Sequence, residues 1–182
     1  LMVVQHEKGT EVYPDQDGNV NIVKDPIMPK QLIDDANNDI SELVGYHDDQ
    51  AYMFNEVDNM DLSNVFAAFD LPEDKRNAKL VLQAKNSEWS GYVYNEFGKL
   101  FGSYYDNWVA KNQRKKSREE MLADQKRHGI PLVVAVKSEE EWVDIETIDL
   151  MGAITYNGLA VQIPEELLNG NELEVRVSSG FM

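Results

Sequence analysis

A change of pattern at Gly129-Ile130-Pro131 constrains this chain more than any other feature of its sequence. On the N-terminal side, the polar segment from Ala110 to His128 is predicted to be helical, and the Gly-Ile-Pro sequence ends it. On the C-terminal side, "PLVVAVKS" is typical of a buried strand, and "NELEVRV" alternates apolar and polar residues as a strand does. The pattern predicts an α+β fold, with helices in the first two thirds and a small antiparallel sheet in the C-terminal third.

The C-terminal third contains three further local signals. Asn157-Gly158 is a preferred pair for a two-residue turn, because both central positions need a positive φ, and it predicts an Asn-Gly hairpin. "SEEEW" has the form of a capping box, with Ser138 as the N-cap and Glu141 three residues later. "PEELLNG" predicts one helical turn.

Four segments before residue 86 carry signals of their own. "TEVYPDQDGNVNIVKDP" predicts a short hairpin, because apolar residues flank a polar turn. "PKQLIDDANNDISELVG" has apolar residues at helical spacing and Gly45 where a residue that ends a helix belongs, so we expect a helix. "DLSNVFAAFDLPED" is expected to form a short helix capped by Asp61. "AKLVLQAK" fits either a strand or a helical turn.

The segment from residue 87 to 110 is rich in aromatic residues and glycine. Its apolar residues recur every three or four positions, which favours a helix. A β-hairpin stays open, because "GYVYNEFGKLFGSYY" has the aromatic content of strands and "NEFGK" fits a turn. Aromatic residues concentrate at protein interfaces, although a plain core helix has the same pattern. We assign to a partner-binding surface the residues Trp89, Tyr92, Phe97, Phe101, Tyr104, Tyr105 and Trp108.

Charge is distributed unevenly along the chain. There are 33 acidic and 17 basic residues, for a net charge of −16, which disfavours direct binding to nucleic acid. An acidic patch is expected at Asp34, Asp35, Asp39, Glu42, Asp48 and Asp49. A basic patch is expected at Lys111, Arg114, Lys115, Lys116 and Arg118. The basic segment has the charge to pair with the acidic ones, within the chain or with a symmetry mate.

Catalytic and metal chemistry find little support in the sequence. There is no cysteine, and neither His6 nor His128 lies in a catalytic context. His47 lies among acidic residues whose spacing matches no metal-ligand pattern, so a solvated acidic loop is the favoured interpretation. "DQDGNVNI" places its glycine in the wrong position for a calcium loop and fits a hairpin tip better. We therefore expect no enzymatic activity, no cofactor, and no catalytic or metal-binding residues.

These signals together predict one domain. Residues 1–128 are expected to form a mainly helical acidic region with a short N-terminal hairpin and a long aromatic and basic helix. Residues 129–182 are expected to form a β-rich part packed on it. No apolar run is long enough to span a membrane, and we expect a soluble protein of the cytoplasm or of a virion, with export after signal removal left open.

The function predicted from these features is that of a non-enzymatic protein-binding or structural assembly protein, of microbial or phage origin. Its partner is expected to be another protein or a second copy of itself. Two alternatives stay open. One is an acidic inhibitor that imitates nucleic acid in the cleft of a basic protein. The other is an exported surface module that binds a glycan or a metal.

Overall fold

The structure is a computed structural model that describes residues 11–15, 17–23, 26–44, 51–54, 62–73, 75–104, 107, 110, 120, 123, 131–148 and 157–179. The described strands are β1 (Glu11–Pro14), β2 (Val20–Val23), β3 (Gln31–Asp34), β4 (Ser63–Asp70), β5 (Lys79–Ala84), β6 (Leu132–Ser138), β7 (Glu141–Ile148), β8 (Asn157–Gln162) and β9 (Glu172–Ser179). The described α-helices are α1 (Ser41–Val44) and α2 (Glu88–Phe101), and short 3-10 helices span Gly102–Tyr104 and Glu165–Leu167.

A five-stranded antiparallel sheet in the order β3-β4-β9-β6-β7 is the largest unit described. Its longest pairing joins β4 to β9, from Ser63 opposite Ser179 to Asp70 opposite Glu172. Strands β5 and β8 form a two-stranded antiparallel ribbon, and β1 and β2 form a second one. The fold therefore depends on pairings between segments far apart in sequence.

One cluster of buried apolar side chains joins the five-stranded sheet to the β5–β8 ribbon. Because strand side chains alternate between faces, Val65 and Phe69 of β4 lie on the same face as Val175 of β9. The ribbon contributes Leu80 and Leu82 from β5. Burying one such side chain stabilises the fold by about 1.5–3 kcal/mol relative to leaving it in water.

The predicted α+β fold with helices in the first two thirds is wrong. Within the described residues the chain is mainly β, and five of its nine strands precede α2. The segment predicted to be helical from Pro29 to Gly45 contains β3, which pairs with β4, and only the short α1. The second predicted helix is β4 itself. Its run "VFAAF" is buried on both faces at Ala67 and Ala68, and such a run has no period that separates strand from helix.

The predicted Asn-Gly hairpin is also wrong. Asn157 and Gly158 lie within β8, where they pair with Ala84 and Gln83 of β5. Glycine is required there by packing, since a Cβ on Gly158 would lie 2.7 Å from two ring carbons of Tyr13. The close approach of β1 to the ribbon, and not a turn, explains this glycine.

The predicted capping box at "SEEEW" is in fact a two-residue strand connection. Ser138 pairs with Glu141 across the end of β6 and β7, and Glu139 has a positive φ of 55°. A tight hairpin of this kind needs positive φ at a central position. The residues that were expected to begin a helix therefore reverse the chain between two strands.

Several local predictions are confirmed. The N-terminal hairpin is the β1–β2 ribbon, and "PLVVAVKS" and "NELEVRV" form β6 and β9. The predicted turn after Pro164 is the 3-10 helix there. "AKLVLQAK", for which strand and helical turn both stayed open, contains β5. The helix favoured for residues 87–110 is confirmed only for Glu88–Phe101, because Gly102 with φ 50° ends α2 and a 3-10 helix follows. The predicted helix from Ala110 to His128 falls mostly outside the described residues, and the division at residue 128 stays a prediction.

Candidate functional site

Helix α2 and the 3-10 helix that follows it expose large apolar side chains. The first turn of α2 contains Glu88 and its last turn Lys99, which suits the helix dipole, and Gly102 with φ 50° follows its last residue. Tyr92 is 55% exposed, Leu100 84% and Tyr104 74%. Tyr92 and Leu100 lie about two turns apart in α2, and Tyr104 is the last residue of the 3-10 helix Gly102–Tyr104. These three residues are named the α2 stripe from here on.

The other residues of the predicted partner surface have different positions. Phe101 is half-buried at the end of α2. Trp89 and Phe97 belong to α2, but their side chains lie outside the described part of the chain, as do Tyr105 and Trp108. Of the predicted partner residues, Tyr92 and Tyr104 are thus exposed, and so is Leu100, which the sequence analysis did not assign to the partner surface.

Asp34, the first residue of the predicted acidic patch, holds a loop in place. Its side-chain oxygen Oδ1 accepts hydrogen bonds from the backbone N–H groups of Ala36 and Asn38, at 2.9 Å each. The side-chain amide of Asn38 donates to both carboxylate oxygens. Asp34 is only 6% exposed. The bonds from Asn38, through its side chain and its backbone, hold the pKa of Asp34 below its usual value.

Asp35 and Asp39 also accept hydrogen bonds within the fold. Asp35 accepts from the backbone N–H of Asn64, at 2.6 Å, and from its side-chain amide, at 2.9 Å, and so links the loop to β4. Asp39 accepts from the backbone N–H of Ser41 at the start of α1, and the bonds from Ser41 lower its pKa. Glu42 is exposed on α1. Asp48 and Asp49 lie outside the described residues.

The charges of this region act on a buried neighbour. Burial, and then the negative charges of Asp34 and Asp35, raise the pKa of the Tyr52 hydroxyl. Tyr52 belongs to the core cluster and packs edge-on against Phe54, with ring centroids 5.9 Å apart. The negative charges of Asp34 and Asp35 therefore act on a residue of the buried core.

The predicted basic patch lies outside the described residues, from Lys111 to Arg118. Its pairing with the acidic segments stays a prediction.

Sequence reasoning missed an aromatic and charged cluster on the outer face of the five-stranded sheet. The rings of Phe66 on β4 and Trp142 on β7 have centroids 5.7 Å apart. The guanidinium carbon of Arg176 on β9 lies 5.0 Å from the Trp142 ring centroid, within cation–π range. Ala135 of β6, which is fully buried, lies between these strands and leaves room for the rings. Only long-range pairing brings these residues together, so no local signal reveals the cluster.

A second set of acidic residues lies in the β6–β7 connection and at the start of β7. Glu139, Glu140 and Glu141 are exposed, and within the described part of the chain none of them has a hydrogen bond or ion pair to another side chain. Asp144 is exposed and lies 3.9 Å from the nearest Arg176 nitrogen. Glu139 and Glu140 lie directly before the outermost strand of the sheet, β7, and Glu141 and Asp144 lie within it. The sequence signal "SEEEWVDIE" was visible, but it was interpreted as a helix cap.

A shallow depression of about 530 Å³ is lined by Glu73, Lys75, Arg76, Glu165 and Leu168. Its lining mixes both signs of charge, and the Lys75 side chain donates to the carbonyl oxygen of Gly170. The depression therefore shows no preference for an anionic or a cationic ligand.

Within the described ranges, no group of three or more acidic, histidine or cysteine side chains is placed to hold a metal ion. No helix in the same ranges is long and apolar enough to cross a membrane. Comparison with protein-family models, curated proteins and solved structures gave no match. The surfaces described above are therefore the basis for a functional proposal.

Proposed function

We propose that this chain is a non-enzymatic protein-binding and assembly protein, and that the α2 stripe is its contact surface. The observation that carries the proposal is the exposure of three large apolar side chains within thirteen residues of chain, Leu100 at 84%, Tyr104 at 74% and Tyr92 at 55%. Protein interfaces concentrate binding energy in clustered aromatic side chains, tyrosine among them. Contiguous exposed apolar residues are uncommon on a surface that has no partner.

The distribution of charge favours a second copy of the chain as the occupant. Two copies with a net charge of −16 repel each other over most of their surfaces. From residue 88 to 104, however, the sequence has only two acids, Glu88 and Glu96, and one base, Lys99. Glu96 and Lys99 are paired with each other. Contact through α2 therefore joins two copies at a segment that carries few charges.

Light scattering on size-separated protein tests this proposal. The wild-type chain is expected to have a mass above that of the monomer, and to keep it at about 1 M NaCl, because salt screens charges and does not weaken apolar contacts. The double variant Leu100→Ser, Tyr104→Ser is expected to be monomeric. Its matched control is Met53→Ser, since Met53 is another exposed apolar residue, at 58%, that lies outside α2.

Two results would contradict the proposal. A wild-type chain that is monomeric at both salt concentrations has no self-association to explain. A double variant that keeps the wild-type mass shows that the contact lies elsewhere.

A further inference from the structure

Among the described residues, β7 is the outermost strand of the five-stranded sheet, and no described strand pairs with its outer edge. Within the described residues its only strand partner is β6. An edge strand presents alternate backbone N–H and C=O groups outward, without a ladder partner. At eight residues, β7 is about 26 Å long, which is long for an open edge.

The sequence of β7 has some of the features that prevent edge strands from pairing and lacks others. "EWVDIETI" contains neither proline nor lysine, and half of it is valine, isoleucine and threonine, which favour strands. One β-bulge is present, since Ala135 pairs with Asp144 and Val134 with Glu146, leaving Ile145 as the extra residue. The bulge bends the strand there. The regular part of the open edge is therefore Glu141–Asp144.

The charge around this regular part is negative. Glu139, Glu140, Glu141 and Asp144 are exposed, and β7 has no basic residue. The nearest described cations are already engaged: Lys137 pairs with Glu174 at 2.8 Å, and Arg176 lies over the Trp142 ring and 3.9 Å from Asp144, which leaves Glu139, Glu140 and Glu141 as the acids without a cation. An added strand at this edge would meet acids and no available base among the described residues.

This charge selects the kind of partner. A second copy of β7 would place acid against acid, and directly opposed like charges destabilise a strand pair. A strand with lysine or arginine side chains on the Glu141 face would instead place a cation beside Glu141 and close to Glu139 and Glu140 in the connection. The half-buried Trp142 side chain, held by Arg176 and Phe66, is available for contact with an apolar residue on the same face.

We propose that the β7 edge binds an extended basic segment of a partner protein, which adds to the sheet as a further strand along Glu141–Asp144. The backbone groups of the edge supply the hydrogen bonds, and Glu139–Glu141 supply the preference for a basic sequence. This surface is distinct from the α2 stripe in location and in chemistry. It goes beyond the assembly function and does not depend on it.

The test is fluorescence anisotropy with a labelled six-residue peptide that alternates lysine and valine. A second peptide of the same sequence has N-methyl groups on alternate backbone amides, which removes the hydrogen bonds of one edge and keeps every charge. Wild-type protein is expected to bind the first peptide, and to bind the methylated one about tenfold more weakly, since a backbone bond or two is worth about 1.4 kcal/mol.

The charge requirement is tested with Glu140→Lys, Glu141→Lys, which is expected to bind the unmethylated peptide about tenfold more weakly. The matched control is Glu165→Lys, Glu166→Lys, another exposed adjacent pair with the same change of net charge, and it is expected to bind within about twofold of wild type.

Three results would overturn the proposal. One is no binding of the unmethylated peptide to the wild-type chain. Another is equal binding of both peptides, which means that charge alone attracts them, as in an imitation of nucleic acid. The third is an equal loss in both lysine variants, which assigns the effect to total charge. The comparison of the two peptides uses only wild-type protein, so it stands even if a variant fails to fold.

Discussion

Two acidic regions of this molecule differ in what their carboxylate groups contact. In the loop after β3, Asp34, Asp35 and Asp39 each accept hydrogen bonds from backbone N–H groups. In the β6–β7 hairpin, Glu140 and Glu141 make no such bond within the described residues. The first region therefore holds the fold together, and the second leaves its charge available to a partner.

The difference shows that a run of acids in a sequence does not by itself define a binding surface. Reversing the charges of Asp34, Asp35 and Asp39 would disrupt the loop and its link to β4, so a loss of binding in such a variant would not report on charge recognition. The Glu140 and Glu141 pair offers a cleaner test. The next four predictions sharpen this contrast, from the largest expected effect to the smallest.

Asp34→Ala is expected to lower Tm by roughly 5–10 °C, because it leaves the N–H groups of Ala36 and Asn38 without their acceptor beside the core. The matched control is Asp15→Ala. Asp15 accepts from the N–H groups of Asp17 and Asn19 in the same pattern, but at the exposed tip of the β1–β2 ribbon. Thermal unfolding followed by circular dichroism should show a clearly smaller fall for Asp15→Ala, and equal falls would contradict the distinction.

The stability gap between wild type and Asp34→Asn is expected to depend on pH. Because the folded-state pKa of Asp34 lies below its ordinary value of 3.8, the carboxylate contributes fully above that value, and the contribution is lost as the pH falls through the lowered folded pKa. Urea unfolding from about pH 6 to about pH 2 should show the gap closing at the acid end. A gap of constant size would mean that the ionised carboxylate is not what stabilises the loop.

Each acidic region has one residue with a positive φ, Asn37 at 59° and Glu139 at 55°. Asparagine adopts this conformation more readily than glutamate does. Glu139→Gly is therefore expected to raise Tm by about 2–4 °C, and Asn37→Gly by less. Thermal unfolding of the two variants decides the order, and a larger gain at Asn37 would contradict the assignment of strain to Glu139.

Glu140→Lys, Glu141→Lys is expected to change Tm by no more than about 2 °C, because exposed side chains without partners contribute little to stability. Asp35→Lys, by comparison, breaks the bonds to Asn64 and should lower Tm more. A large loss of stability in the glutamate variant, measured by the same thermal unfolding, would show that these residues also hold the fold.

The loops at Asp15 and Asp34 show how far the sequence predicts this fold. Both run from aspartate to asparagine over five residues. In both, the N–H of the first residue donates to the carbonyl of the fifth, and the N–H of the fourth donates to the carbonyl of the first. "DQDGN" was predicted to be a turn because apolar residues flank this polar segment, and its Gly18 has the positive φ. "DDANN" has Asn37 at that position, inside apolar spacing that resembles a helix, and so the turn was missed.

The larger errors come from long-range pairing. β4 is a strand because β3 and β9 flank it, and β9 lies more than a hundred residues away in sequence. Local propensity cannot supply that information. For the candidate site, periodicity predicted α2, but only packing shows that Leu100 faces away from the core. The open edge of β7 likewise depends on the order of the strands in the sheet.

Amide hydrogen exchange on the free chain, resolved by residue, tests the central contrast most directly. We predict slow exchange for the amides of Ala36, Asn38 and Asn64, which donate to Asp34 and Asp35, and fast exchange for every second amide from Glu141 to Asp144. Fast exchange at the three loop and strand amides, or uniformly slow exchange along Glu141–Asp144, would contradict the assignment of one acidic region to the fold and of the other to an open edge.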